Sequence, residues 1–195
     1  MRLSATGLEL TRERGREKHF ADYFQLSARV SPKAVLGRHG VFAMELSAMG
    51  LELVKVSEGF RSQVYADVAG FATIGYGHRV RPQESFPAGI GEPEAAAILA
   101  ADLAEAARAV GRLVRVPLAQ GQFDALVDFC FNLGEGRLAA ASLLRELNAG
   151  RYEAAGAQLL SWDHAGGQVN AGLKARREAE FRLWTGAAAQ LAAAA

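Results

Sequence analysis

The sequence predicts an α+β fold, in which a small β-containing lobe is joined by a long helix to a larger helical lobe. Residues 60–90 mix glycines and prolines with β-branched and aromatic residues, a composition typical of short strands joined by tight turns. Residues 93–115 are rich in alanine and place apolar residues at helical spacing, which indicates a long amphipathic helix. The length of 195 residues fits one domain, or two lobes that share a connecting helix.

The ends of the helices are marked by capping and breaking residues. A short first helix is expected to begin at Ser47, a suitable N-cap, and to end near Glu58, because Gly59 suits the left-handed residue that follows a helix. Pro93 suits the first turn of the long helix, and Pro117 ends it. Further helices are expected at about residues 120–132, 138–148, 151–161 and 173–184.

The chain is predicted to divide into three parts: a charged N-terminal arm (1–45), a folded domain (46–186) and an alanine-rich tail (187–195) that frays. Residues 3–10 nearly repeat residues 46–53, differing only at Thr6 and Met49. Gly15 stands where the repeat would require Glu58, so the first copy lacks that carboxyl. We interpret the arm as a duplicated or appended start of unassigned role.

Composition excludes several classes of protein. Half the residues are hydrophobic and 22% are charged, which is ordinary for a globular protein. The net charge of +1 does not call for a polyanionic partner, and no nucleic-acid partner is expected. No apolar run is long enough for a membrane span, so no stable membrane insertion is expected. The charged N-terminus has no signal-peptide core, which predicts a cytoplasmic location.

Metal and thiol chemistry are not expected either. No cluster of histidine, cysteine and carboxylate residues has metal-ligand spacing, and the glycine-rich loops lack the lysine of a phosphate cradle, so no metal or cofactor is predicted. Cys130 is the only cysteine, which rules out an intrachain disulfide. It lies in an apolar run, where a small buried core residue is the expected role.

Two carboxyl groups in contrasting surroundings are the strongest chemical signal. Glu58 is predicted at the C-terminal end of a helix, where unpaired carbonyls disfavour a carboxylate and favour its protonated form. Asp67 lies in turn-rich sequence, where backbone amides can keep it ionised, and Thr73 adds a hydroxyl suited to holding a water. One proton donor and one ionised carboxylate are what glycoside hydrolysis requires. The spacing of the two carboxyl residues does not by itself establish a glycosidase, because most such pairs are solvated surface residues.

Four motifs, in order along the chain, resemble those of the phage-type lysozymes, the endolysins of glycoside hydrolase family 24. Residues 58–78 match the pattern E-G, then Y-x-D, then T-I-G-x-G-H. Residues 129–134 resemble the F-N-x-G segment, residues 142–148 the S-x-L-x-x-x-N element, and residues 172–180 the G-L-x-x-R-R-x-x-E helix. The resemblance covers residues 46–186, which are therefore expected to form a lysozyme-like domain.

The resemblance implies a muramidase that cuts the β-1,4 bond between N-acetylmuramic acid and N-acetylglucosamine in peptidoglycan glycan strands. It implies Glu58 as general acid, Asp67 as the carboxylate that activates water, and Thr73 as its helper. Phe131 and Ser142 resemble sugar-contacting positions on the far wall of the cleft, although Phe131 also suits an ordinary core position. A monomer that lyses bacteria is expected, and release of the protein from the cytoplasm could require a holin.

Other residues of these motifs have structural alternatives. His78 is expected to be a structural histidine paired with a carboxylate or carbonyl, rather than a base. Arg176 or Arg177 could pair with Glu58 from the helical lobe, or could form an ion pair within its own helix. The glycines of the 70–77 segment are expected to serve turns and strands rather than ligands.

Two other functions compete with hydrolysis. A lytic transglycosylase also uses a glutamic acid but needs no water-activating aspartate, so the presence of Asp67 and Thr73 favours a hydrolase. A non-catalytic peptidoglycan-binding module would not require an acid at the end of a helix. Analysis of the ends of released cell-wall fragments distinguishes all three.

Overall fold

The computed structural model of the protein describes residues 44–67 and 70–193, with side chains described as far as residue 186. The arm predicted over residues 1–45 therefore lies outside the described residues, apart from its last two positions. No helix within the described ranges is both long and apolar enough to cross a membrane.

Short strands come early in the described chain, and helices dominate the rest. The helices are α1 (Ala48–Glu58), α2 (Glu92–Leu113), α3 (Gln120–Leu133), α4 (Glu135–Ala140), α5 (Ser142–Asn148), α6 (Tyr152–Leu159) and α7 (Ala171–Ala193). The strands are β1 (Arg61–Ala66), β2 (Ala72–Gly75), β3 (His78–Arg79), β4 (His164–Ala165) and β5 (Gln168–Val169). The predicted α+β class, with a small β-containing part followed by a long helix and further helices, is confirmed.

The first three strands form one antiparallel sheet in the order β1-β2-β3. Tyr65 pairs with Thr73, Thr73 pairs in turn with Arg79, and the register of β1 shifts between Arg61 and Tyr65. Because β1 begins directly after α1, this sheet lies at the C-terminal end of that helix. The β4–β5 hairpin was not predicted from the sequence; in it, two glycines at positive φ form the turn that antiparallel strands favour.

Helix α1 is fixed at its N-terminus against α3. The Ser47 hydroxyl accepts a hydrogen bond from Gly50 N–H at 3.2 Å, as its predicted N-cap role requires. The Ser47 backbone N–H also donates to Asp124 Oδ1 at 3.0 Å. Gly50 allows this close approach, since a Cβ placed there would lie 2.6 Å from Leu46 Cδ1 and 2.8 Å from Asp124 Cγ. Glycine is thus required at position 50 by packing.

Helix α3 is the centre of the helical lobe. Every residue from 122 to 130 is buried, and α3 packs against α1, α2, α4 and α7. Cys130 lies in this run and is 4% exposed, as expected of a core residue, and burial raises the pKa of its thiol to about 11. Leucines make up eight of the twelve largest fully buried side chains in the described part of the chain: Leu53, Leu99, Leu103, Leu126, Leu138, Leu143, Leu147 and Leu159.

Two predicted helices have different bounds in the structure. The helix predicted over 138–148 is two helices, α4 and α5, separated by Ala141 in an extended conformation. Residues five apart on one continuous helix point in different directions, whereas the break lets both Leu138 and Leu143 be fully buried. Helix α7 continues past the predicted end at 184, through the expected tail to Ala193, because alanine has the highest helix propensity.

Candidate active site

Glu58 is the last residue of α1, and its carboxyl group faces the helical lobe. Gly59 follows with φ 74°, and its N–H donates to Lys55 O at 3.0 Å, so the helix ends as predicted. The Glu58 side chain is 25% exposed. Its Oε1 accepts a hydrogen bond from Arg176 Nη1 at 2.8 Å. The Glu58 carboxyl group therefore has a guanidinium partner, in addition to its position beside the unpaired carbonyls at the C-terminal end of α1.

Arg176 is held on its other edge by Asp128 of α3. Arg176 Nε donates to Asp128 Oδ2 at 2.9 Å, and Nη2 donates to Asp128 Oδ1 at 2.7 Å. Asp128 is completely buried and Arg176 is 7% exposed. Burial alone would raise the pKa of Asp128, but the charge and hydrogen bonds of Arg176 outweigh burial and hold that pKa below its ordinary value.

Arg177, the next residue, forms a separate pair on its own helix. Its Nη2 lies 2.8 Å from Glu180 Oε1 and also donates to Asn132 Oδ1 at 2.9 Å. Glu180 is fully buried, and burial together with the negative charge of Asp128 raises the pKa of Glu180 well above its ordinary value. Both alternatives left open by the sequence are thus realised: Arg176 reaches Glu58, and Arg177 makes the pair within α7.

The turn between β2 and β3 lies beside Glu58. A Cβ placed on Gly77 would be 3.5 Å from Glu58 Oε2, and Gly77 has φ 87°. Glycine can adopt the positive φ that this turn needs, which supports the structural role predicted for Gly77. Because glycine has no side chain, Gly77 also leaves Glu58 Oε2 without a neighbouring side chain at this point.

Asp67 and Thr73 both bind the backbone of Phe71. Asp67 Oδ1 accepts a hydrogen bond from Phe71 N–H at 2.9 Å, and Asp67 N–H donates to Phe71 O at 2.9 Å. Thr73 Oγ1 donates to the same carbonyl at 3.0 Å, and Thr73 is buried. Arg79 Nη2 lies 3.8 Å from Asp67 Oδ2, while the Arg79 guanidinium stacks 3.8 Å from the centre of the exposed Phe71 ring. The Phe71 backbone N–H and the Arg79 guanidinium thus both contact the Asp67 carboxyl group.

His78 connects the segment after β3 to α2. Its Nδ1 lies 2.7 Å from Asp102 Oδ2, and its Nε2 lies 2.8 Å from Glu84 Oε2. Burial of the ring lowers the pKa of His78, but the hydrogen bonds with Glu84 and Asp102 outweigh burial and raise that pKa above its ordinary value. Both ring nitrogens are engaged, which agrees with the structural role expected for this histidine.

Phe131 and Ser142 lie on the helical lobe. Phe131 is half-buried in the last turn of α3, three residues after Asp128, and therefore on the same face of that helix. Ser142 Oγ donates a hydrogen bond to Gln158 Oε1 at 2.8 Å. The hydroxyl proton of Ser142 is therefore already used in a hydrogen bond within the protein.

Asp128 was not predicted as a site residue, although it belongs to the run of apolar residues that contains Cys130. An aspartate with apolar neighbours inside a helix is the available signal, because buried carboxylates are almost always paired. The partner could not be identified from the sequence, since Arg176 lies 48 residues away.

Comparison with known proteins agrees with the motifs and the fold. The family model described as phage lysozyme matches residues 55–180. The endolysin of Salmonella phage P22 is 36% identical over 137 residues, which cover 69% of this chain and 94% of that protein. The chain belongs to the phage lysozyme family. This membership confirms the expected enzyme class, a lysozyme-type glycoside hydrolase, and supports a muramidase that lyses peptidoglycan.

Two further relatives define the extent of the similarity. The endolysin of Bacillus phage B103 is 40% identical over 146 residues, which cover 72% of this chain but only 54% of that protein. The chain thus spans about half the length of this relative. The muramidase domain of SpmX from Asticaccaulis excentricus superposes with a TM-score of 0.66 at 38% identity, covering 72% of this chain and 97% of that domain. The predicted lysozyme-like fold is confirmed.

Proposed function

We propose that this lysozyme-family chain hydrolyses the β-1,4 bond between N-acetylmuramic acid and N-acetylglucosamine, with Glu58 as general acid. The observation that carries this proposal is the position of the Glu58 carboxyl. It lies at the end of α1, is 25% exposed, and is held at one oxygen by Arg176. The other oxygen faces the side-chain-free Gly77, which leaves space for the oxygen of a leaving sugar.

Asp67 is the proposed water-activating carboxylate. Its Oδ1 is fixed by Phe71 N–H, and Arg79 lies near Oδ2, so the carboxylate is oriented and its charge is balanced. Thr73 is its proposed helper, because its hydroxyl holds the carbonyl of the same Phe71 that positions Asp67. A hydroxyl that donates one hydrogen bond can still accept another from a water. In an inverting enzyme this water attacks the sugar face opposite the leaving group.

Digestion of purified bacterial cell walls tests the proposal. The walls are incubated with the protein, and the soluble fragments are separated and identified by mass spectrometry. A hydrolase leaves reducing N-acetylmuramic acid ends. Anhydro-muramic ends would instead identify a lytic transglycosylase, reducing N-acetylglucosamine ends would move the cut to the other glycosidic bond, and binding without release would identify a non-catalytic module.

The proposed partner is therefore the glycan strand of peptidoglycan. We infer that the protein acts on the cell wall after the inner membrane has been breached, a breach that a holin would provide. We also infer a monomer, because one chain supplies Glu58, Asp67, Thr73 and Arg176. Sedimentation in the presence and absence of soluble glycan fragments checks the oligomeric state, and a second protomer in either condition would contradict it.

A further inference from the structure

Glu58 and Asp128 share one guanidinium group, although they lie on different helices. Arg176 gives Nε and Nη2 to Asp128 and Nη1 to Glu58, at distances of 2.7 to 2.9 Å. A guanidinium is planar, so two parallel hydrogen bonds to one carboxylate fix its plane and the direction of its remaining N–H groups. Because Asp128 is fully buried in α3, it provides a rigid base for this arrangement.

The charges around Glu58 make Asp128 important for a second reason. Arg176 is the cation in contact with Glu58, and Asp128 is the anion in contact with Arg176. Next to Arg176 on α7, Arg177 is paired with Glu180, and burial together with the charge of Asp128 raises the pKa of Glu180 well above its ordinary value. On α1 itself, Lys55 lies 3.9 Å from Glu52, and the β2–β3 turn contributes the uncharged Gly77.

An unbalanced cation beside Glu58 would stabilise its carboxylate and remove the proton that a general acid must donate. An opposite charge within about 4–6 Å changes the titration of a carboxyl by about 1–3 pH units. Arg176 is within this distance of Glu58, and the Asp128 charge offsets it through the same guanidinium. Asp128 can therefore preserve proton donation while leaving the orienting hydrogen bond from Arg176 intact.

We propose that Asp128 is a positioning residue for the general acid: it fixes the plane of the Arg176 guanidinium and balances its charge, so that Glu58 is oriented and still able to carry a proton. This inference rests on the proposed function of Glu58. Asp128 makes no contact with substrate in this proposal, and it acts on Glu58 through Arg176.

The test is the Asp128→Asn variant, which keeps the shape and one acceptor but removes the charge. The titration of Glu58 is followed by carbon-13 NMR of labelled glutamate, with the Glu58→Gln variant used to assign its signal. The Glu58 midpoint is expected to fall by about one pH unit or more in Asp128→Asn. The alkaline limb of the cell-wall hydrolysis profile should move by the same amount, with a loss of about tenfold per unit at pH values above the midpoint.

A matched control and a second variant keep the result interpretable. Asp124→Asn removes another buried carboxyl of α3, one that binds Ser47 and Gln120, and should leave the Glu58 midpoint unchanged. If Asp128→Asn does not fold, the double variant Asp128→Asn with Arg176→Gln removes both charges, and its Glu58 midpoint should be no lower than that of the parent. An unchanged midpoint in folded Asp128→Asn, or a lowered one in the double variant, overturns the inference.

Failure of the proposed function gives a different result. If the parent protein releases no fragments from cell walls, or if folded Glu58→Gln keeps full activity, Glu58 is not the general acid. The NMR midpoints still decide in that case whether Asp128 balances the Arg176 charge. The two proposals are therefore tested by separate measurements on the same set of variants.

Discussion

His78 and Asp102 are joined by a 2.7 Å contact between Nδ1 and Oδ2, which connects strand β3 to helix α2. A second contact from Nε2 to Glu84 Oε2, at 2.8 Å, makes the imidazole a bridge between two carboxylates. The two hydrogen bonds raise the pKa of His78 despite its burial, and backbone and side-chain hydrogen bonds lower the pKa of Glu84. The bridge therefore couples stability to pH in both directions.

The first prediction concerns this pH dependence. The raised pKa of His78 contributes stability that is fully present below its unfolded value of 6.5 and is lost as pH rises through the folded value. The lowered pKa of Glu84 contributes stability that is present above its unfolded value of 4.5 and is lost as pH falls through the folded value. His78→Gln should thus lower Tm by a few degrees at pH 5–6, and by less at pH 8 and at pH 3.

Thermal unfolding followed by circular dichroism measures this difference. The control is His164→Gln, because His164 also lies close to a carboxylate, Asp163, but is 55% exposed. Exposed pairs contribute little, so this variant should change Tm by less than His78→Gln at pH 5–6. A constant Tm difference between parent and His78→Gln from pH 5 to 8 would show that protonation of His78 does not contribute to the stability of the protein.

Glu58→Gln should fold normally and lose nearly all lytic activity, because an amide cannot donate the proton. The loss from removing a general acid is typically about two to four orders of magnitude. Turbidity of a cell-wall suspension measures the rate, and circular dichroism checks the fold. Glu52→Gln, on the same helix, is the control and should keep activity within about a factor of two, since Glu52 lies near Lys55 and makes no ion pair with Arg176. Near-parental turnover by folded Glu58→Gln would remove Glu58 from its role.

Two glycines in helices should respond in opposite directions to alanine. Gly50→Ala places a Cβ 2.6 Å from Leu46 Cδ1 and 2.8 Å from Asp124 Cγ, and should cost about 1–3 kcal/mol of the free energy of unfolding. Gly111→Ala meets nothing within 4 Å and should stabilise α2 by about 0.5–1 kcal/mol. Chemical denaturation measures both values. Equal effects would mean that α1 and α3 can separate enough to accommodate the methyl group.

Local signals predicted most of the fold because its helices start and end at residues with local roles. Ser47 caps α1, and Gly59 follows that helix at positive φ, as expected. The β4–β5 hairpin was missed because its strands have two residues each, too few to show an alternating pattern. The break at Ala141 was missed because alanine favours a helix locally, and only burial of both flanking leucines explains the interruption.

Some residues of the candidate site could also be predicted from the sequence, and others could not. The motif residues Glu58, Asp67 and Thr73 lie within one short stretch of sequence, so the pattern could single them out. Asp128 acts through Arg176, and the two are brought together only when α3 packs against α7. Sequence periodicity indicates that each helix has a buried face but does not indicate which charged residues meet there. The residues that position a catalytic group are therefore harder to predict from the sequence than the catalytic group itself.

The last prediction concerns Asp67 and the stereochemistry of the reaction. If Asp67 activates water, Asp67→Asn should nearly abolish turnover while leaving affinity for chitooligosaccharides within a few-fold of the parent. An inverting enzyme should first release the α-anomer from a β-linked substrate, because water attacks the face opposite the leaving group. Proton NMR of fresh product reports the anomer before mutarotation mixes the two forms.

The control for this variant is Asp163→Asn, because Asp163 is another carboxylate that lies outside the motif, beside His164. It should keep parental turnover and anomeric outcome. If the parent releases the β-anomer first, Asp67 or another group acts as a nucleophile, since two successive inversions retain the configuration. Rescue of Asp67→Asn by azide would show that the variant still binds and positions the sugar, because a small anion can replace either a missing nucleophile or an activated water at the sugar carbon. A rate that azide leaves unchanged, together with lost binding, would instead mean that Asp67 serves mainly to hold the Phe71 loop.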